Sequence, residues 1–141
     1  MLVNPTIKNY FKDISVGMAA QYERQVTDEE VWAFARISGD YNPIHLDEAF
    51  AKDSIFGERI THGMLTASHI SANLYIFPGP GWIYVNQSLQ FRAPVRISDT
   101  VSTRVKVEKC IPRKNLVELS TECKVGDKVV LTGTATVKSP D

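Results

Sequence analysis

The sequence predicts an α+β fold: one antiparallel sheet of five strands curled around a single long buried helix, with a short helical insertion ahead of that helix. Three observations carry this. No charged residue occurs between Arg59 and Arg92. After Gly81 the apolar residues switch to a period of two and keep it to the end of the chain. With 141 residues and 43% hydrophobic content, the chain suits one compact core, so 1–141 is read as a single domain.

Taken in order, Met18, Ala20, Tyr22 and Val26 alternate as a first strand should. Thr27 and Glu30 then have capping-box spacing, and Val26 and Val31 have the spacing of a hydrophobic staple, which predicts a helix from Asp28 to about Ser38, stopped by Gly39. Asp40-Tyr41-Asn42-Pro43-Ile44-His45 is an ordered turn, because Pro43 disfavours helical geometry at Asn42. A short helix through Asp47 to Lys52 follows. Gly63 to Phe77 contains no internal Gly or Pro and is apolar or small around most of its circumference, as expected of a helix enclosed by other structure. Pro78-Gly79-Pro80-Gly81 ends it.

Four strands complete the chain. Their apolar faces are Ile83, Val85, Leu89 and Phe91; Val101, Thr103, Val105 and Val107; Val117, Leu119, Thr121, Cys123 and Val125; and Val129, Leu131, Ala135 and Val137. Turns at Pro112 to Asn115 and Gly126 to Lys128 make the last three a meander. Matching the apolar faces pairs Val105 with Cys123 and Val107 with Thr121 and puts Cys110 and Cys123 on opposite faces, too far apart for a disulfide. Such a sheet around a helix is the hot-dog architecture. A lone copy leaves one side of the helix and a sheet edge uncovered, which predicts a homodimer or an assembly of dimers.

Composition removes several functions. Lys plus Arg equals Asp plus Glu at 16 each, so no global basic field draws the chain to nucleic acid or an anionic membrane. The buried helix is shorter than the ~20 residues a bilayer requires and carries His69, Ser71 and Asn73. Met1-Leu2-Val3 followed by Asn4 and Pro5 lacks the pattern of an export signal, and two unpaired cysteines suit a reducing compartment, so a cytoplasmic location is expected. A small-molecule ligand is the better default.

Asp40 and His45 lie five residues apart in a turn restrained by Gly39 and Pro43, close enough to share one water or hydroxyl. Local sequence fits equally well an Asp40 that caps the next helix and a His45 that only packs; spacing leaves both open. Gly63 begins the buried helix, where free N–H groups and the helix dipole favour a developing oxyanion, although glycine at a tightly packed helix start needs no such role. His62, Thr66, His69 and Asn73 form a polar stripe on that helix, and Met64, Ala67, Ser71 and Leu74 form another, either of which could line a pocket. No metal site is expected, since His62 and His69 are two turns apart and no Cys-x-x-Cys or close His pair occurs among three histidines. No Gly-x-Ser-x-Gly elbow supports a serine hydrolase. Arg92, Arg96, Arg113 and Lys114 could hold phosphates, but solvated strand ends and a charged turn account for them without a ligand.

The run Phe34 to His45, with Phe56-Gly57 and Ile60-Thr61-His62-Gly63-Met64, resembles the signature of the MaoC-like (R)-specific enoyl-CoA hydratases and dehydratases. Gln87 to Phe91, Ala93 to Arg96 and Asp99 to Val101 extend the likeness over nearly the whole chain. The resemblance implies a hot-dog dimer in which Asp40 and His45 hold the catalytic water, Gly63 N–H contributes to an oxyanion hole, Asn42 and Ser38 order the turn, and Ser71 and Leu74 wall the acyl chain. It implies reversible hydration of trans-2-enoyl-CoA to (R)-3-hydroxyacyl-CoA. Coenzyme A would be part of the substrate and no separate cofactor is needed. Of the four cations named above, Arg92 and Arg96 are the candidates for its phosphates, on the residues alone. His69 and Asn73, polar where the family is usually apolar, and Glu58, where a second glycine is common, bear on pocket shape. The competing expectations are a 3-hydroxyacyl-acyl carrier protein dehydratase, a non-catalytic acyl-CoA-binding hot-dog protein, and a thioesterase.

Overall fold

The structure, a computed structural model, describes residues 7–141. The expectation of no export signal rests on Met1 to Pro5, which lie outside the described residues.

Strand β1 (Ala19–Gln25) leads into helix α1 (Asp28–Ser38). The capping box forms: Thr27 Oγ1 accepts from Glu30 N, and Glu30 Oε2 accepts from Thr27 N, both at 3.2 Å. Val26 and Val31 are fully buried, and Gly39 ends the helix in the left-handed region at φ 81°. Two short helices follow, α2 (Pro43–Leu46) and α3 (Glu48–Lys52). The segment expected to be a plain turn closes into α2 because Pro43 fits a first helical position and Asn42 Oδ1 accepts from Ile44 N at 3.2 Å.

Helix α4 (Gly63–Ile76) is the central helix, and its underside is polar. Thr66, His69 and Asn73 are buried with Leu65, Ile70 and Leu74. Asn73, 0% exposed, donates through Nδ2 to the carbonyls of Ala20 at 3.2 Å and Thr103 at 3.0 Å, joining the helix to two strands. His69 packs edge-on against Tyr22 with centroids 5.9 Å apart. The side left open in the single chain carries Met64, Ser68, Ser71 and Tyr75. No helix among the described residues is long and apolar enough to cross a membrane.

The sheet comprises β2 (Ile83–Gln87), β3 (Gln90–Phe91), β4 (Thr100–Ile111), β5 (Leu116–Val125) and β6 (Lys128–Lys138) together with β1, in the order β1-β4-β5-β6-β2, with β3 also pairing β6. The single strand expected over 83–91 is thus split in two, both halves on β6. Gly133 permits the break: a Cβ there would lie 1.9 Å from the Ser88 carbonyl oxygen. The apolar face expected of that strand is largely uncovered in the single chain. Ile83, Val85 and Phe91 are exposed, because β2 and β3 lie at the sheet edge, and only Leu89 packs on the core.

The β4–β5 register differs by two residues from that expected. Thr103, not Val105, faces Cys123, and Val105 faces Thr121. A slip of two keeps every side chain on its face, so the apolar pattern cannot exclude it. The hairpin sets Ile111 opposite Leu116, which moves the pairing by one residue, and a bulge between Val107 and Lys109 moves it by one more. That bulge turns Cys110 toward the core, so the cysteines are not on opposite faces. They remain apart: Cys110 pairs with Val117, six residues along β5 from Cys123, or about 20 Å at strand rise, and both are free. A second bulge, between Cys123 and Lys124, buries Val130 rather than Val129, beside Leu131.

The bridge from Asn73 yields a test. Asn73→Asp replaces a double donor by an acceptor facing two carbonyls in a fully buried site, and urea melts should show a loss of about 3 kcal/mol or more. A loss below about 1 kcal/mol would show that the bridge contributes little.

Candidate active site

A cavity of about 470 Å³ opens at the start of α4, lined by Asp40, His45, His62, Gly63 and Thr66 on one side and by Phe91, Arg92, Val95, Val130 and Leu131 on the other. Asp40 follows the α1 stop, His45 sits in α2 and Gly63 is the first residue of α4, so three helix ends supply the polar wall. The Val130 bulge supplies part of the apolar wall. Its carbonyl accepts from Arg92 N at 2.8 Å and Ala93 N at 3.3 Å, drawing the 92–95 segment over the cavity.

The Asp40 turn is set by its own neighbours. Ser38 Oγ donates to Phe34 O at 2.7 Å and accepts from Asp40 N at 3.1 Å; Asp40 Oδ1 accepts from Asn42 N at 3.1 Å. Ser38 and Asn42 therefore shape the turn and lie outside the cavity wall. Asp40 caps neither short helix, because Asn42 caps α2 and Asp47 caps α3; with Oδ1 engaged by Asn42 N, it is Oδ2 that is left for the cavity Asp40 lines.

His45 is buried, and its Nδ1–H donates to Ile60 O at 2.8 Å, which leaves Nε2 as the nitrogen with a free lone pair. Burial pushes its pKa below 6.5, with His62 and Arg59 acting in the same direction and the Ile60 carbonyl and Asp40 opposing. Arg59 fixes α2 from behind, donating through Nε to His45 O at 2.7 Å and through Nη2 to Asp28 Oδ1 at 2.6 Å. No local pattern announces this clamp, since Arg59 and Asp28 are 31 residues apart.

Gly63 N–H stands in the first turn of α4, where no intrahelical acceptor exists, and Gly63 lines the cavity. A Cβ there would lie 2.7 Å from the Phe91 ring, so close packing and an accessible amide both call for glycine. Asp40, His45 and His62 each bring a potential ligand atom within 4.8 Å of the others. The fold thus creates the close histidine pair that sequence spacing lacks. Their rings are stacked, with centroids 4.0 Å apart and planes 30° apart. Planes so nearly parallel do not meet within the ~2.1 Å of a metal–nitrogen bond of both rings, so the trio as arranged does not converge on an ion.

The remaining predicted residues divide. Arg92 lines the cavity, exposed, and donates to Thr132 Oγ1 at 3.0 Å and to Gln90. Arg96 does not line it: it pairs with Glu58 at 3.1 Å and donates to Phe56 O at 3.1 Å, holding the loop whose second glycine position Glu58 occupies. Ser71 and Leu74 are likewise elsewhere. They lie eight and eleven residues past Gly63, roughly 12–16 Å at helical rise, and line a separate recess of about 210 Å³ with Tyr75 and Trp82. Among the apolar cavity residues, Phe56, Ile60, Val95 and Val130 were not expected, and Val130 enters only through a bulge that no local pattern announces.

The family model of the MaoC like domain matches residues 12–129. The chain is 48% identical to a 3-hydroxybutyryl-CoA dehydratase of Methylorubrum extorquens, over 93% of this chain and 84% of that one. It is 46% identical to an (R)-specific enoyl-CoA hydratase of Rhodospirillum rubrum, over 99% and 98% of the two chains. Among solved structures, the (R)-hydratase of Aeromonas caviae involved in PHA biosynthesis superposes with a TM-score of 0.89 at 40% identity, covering 92% of this chain and 99% of the other. With its hot-dog fold, its cavity at the head of α4 and these relatives, the chain belongs to the MaoC-like dehydratase family.

Proposed function

We propose that this protein is a hydro-lyase that adds water to trans-2-enoyl-CoA to give (R)-3-hydroxyacyl-CoA, and runs the reverse dehydration. The observation that carries the reading is the single cavity in which Asp40, His45 and the Gly63 amide meet. The names of the two curated relatives support both the reaction and coenzyme A as carrier.

In this scheme Asp40 and His45 Nε2 hold one water. Its oxygen bonds to C3 as the pair takes a proton, and the double-bond electrons pass through C2 onto the thioester oxygen. Gly63 N–H donates to that oxygen, a contact typically worth ~3 kcal/mol in the transition state. The pair then returns a proton to C2, so both hydrogens and the oxygen of one water end on the product and the enzyme is unchanged. Coenzyme A enters as part of the substrate, and Arg92, exposed on the cavity lining, would meet its phosphates. We read the working unit as a dimer or an assembly of dimers, supported by the exposed Met64 and Tyr75 on α4 beside Ile83, Tyr84 and Val85 on the edge strand β2. Free Cys110 and Cys123 suit a cytoplasmic setting.

Purified protein should consume crotonyl-CoA, faster than the same acyl group on acyl carrier protein, and yield the (R) alcohol; chiral chromatography showing the (S) product, or no turnover, would reject the reading. Release of free thiol would point to a thioesterase instead, and acyl-CoA binding without turnover to a binding protein. Asp40→Ala and His45→Ala should each lower the rate by about 10²-fold or more. Because His45 must be neutral to accept a proton and its pKa lies below 6.5, kcat/KM should be level at neutral pH and fall only as pH drops below 6.5. An acid limb centred above 6.5 would exclude His45 as that group.

A further inference from the structure

We propose that His62 is a positioning residue that holds Asp40 and His45 in register with each other and with the Gly63 amide. The inference rests on the reading of function given above. His62 immediately precedes α4, yet its side chain makes no capping hydrogen bond; the helix start is tied instead through its carbonyl, which accepts from Leu65 N at 3.1 Å and Thr66 N at 3.2 Å. The imidazole serves another purpose. It is 1% exposed, and its Nε2–H donates to the backbone carbonyl of Asp40 at 3.0 Å. One face stacks on His45, 4.0 Å between centroids, and Phe34 packs at 4.9 Å.

The bond to Asp40 is singular. Every other hydrogen bond of the 39–42 segment among the described residues is local: Gly39 N to Ala35 O, Asp40 N to Ser38 Oγ, Asn42 N to Asp40 Oδ1, Ile44 N to Asn42 Oδ1 and His45 N to Asn42 O. Those bonds shape the turn but do not say where it sits. The His62 bond spans 22 residues and joins the turn to the residue next to Gly63. One side chain therefore sets Asp40, through its backbone, against the Gly63 donor, through the chain, and against His45, through the stack. Packing alone does not explain the choice of histidine, because Nδ1 is buried with no protein partner, a cost that a phenyl ring would avoid.

Two halves of the role are separable. His62→Gln retains a donor near the Nε2 position and loses the ring; His62→Phe retains the ring and loses the donor; His62→Asn loses both, its amide being too short to reach Asp40 O. With crotonyl-CoA, the Phe and Asn variants should lose about 10- to 100-fold in kcat with KM changed less than about threefold, the signature of misplaced reacting groups. Gln should recover at least about fivefold of the Asn loss. Thermal melts run alongside separate misplacement from unfolding, and if the Phe chain does not fold, the Gln and Asn pair still isolates the donor. Variants within twofold of the parent kcat, a loss confined to KM, or a loss equal in Gln and Asn that follows melting temperature would each overturn the positioning role while leaving the hydratase reading intact. A parent protein without enoyl-CoA turnover would overturn both.

Discussion

Enclosing α4 beneath a curved sheet is the constraint from which the other features follow. The helix meets the strands with a polar underside, and that side is accommodated because Asn73 gives both amide hydrogens to strand carbonyls, one on β1 and one on β4. The contact fixes the helix along its axis as well as against the sheet. Its first turn is thereby held at the mouth of the fold, where the Gly63 amide faces a cavity rather than a neighbouring carbonyl. A helix free to slide would place that amide anywhere along the opening.

The Asp40 and His45 side of the cavity is built by a different means, with short-range hydrogen bonds shaping the Gly39 to His45 turn and a few long-range ones locating it. Ser38, Asn42 and Pro43 shape it; His62 and Arg59 reach across from the segment before α4. The charged groups around the cavity are mostly structural. Arg59 and Arg96 are engaged with Asp28 and Glu58 and with backbone carbonyls, leaving Arg92 as the guanidinium on the cavity wall. Buried beside a carbonyl, with Nδ1 committed to it, His45 keeps Nε2 available at neutral pH.

What could be read from sequence is what local chemistry determines. The Thr27–Glu30 capping box, the Gly39 stop, the extent of α4 and the period-two strands each depend on neighbours within about four residues, and each is legible. The β4–β5 register is not, since slips of two preserve the apolar face and the deciding bulge at Glu108 leaves no mark in the pattern. The site divides in the same way. Asp40, His45 and Gly63 lie in readable motifs and meet in one cavity, whereas Ser71 and Leu74 line a different recess, and Val130 reaches the cavity wall only through a second bulge. The stacked pair of His45 and His62 joins residues 17 apart in sequence, and only the fold brings them together.

The central claim is that one water, held by Asp40 and His45 on a single side of the substrate, supplies both the oxygen and the hydrogen that are added. Hydration of crotonyl-CoA in D2O, with the configuration at C2 and C3 of the product resolved by NMR after derivatisation, tests this most directly. The account predicts one deuterium at C2 and an oxygen at C3 added to the same face of the double bond. Addition to opposite faces, or deuterium distributed over both C2 positions, would contradict it.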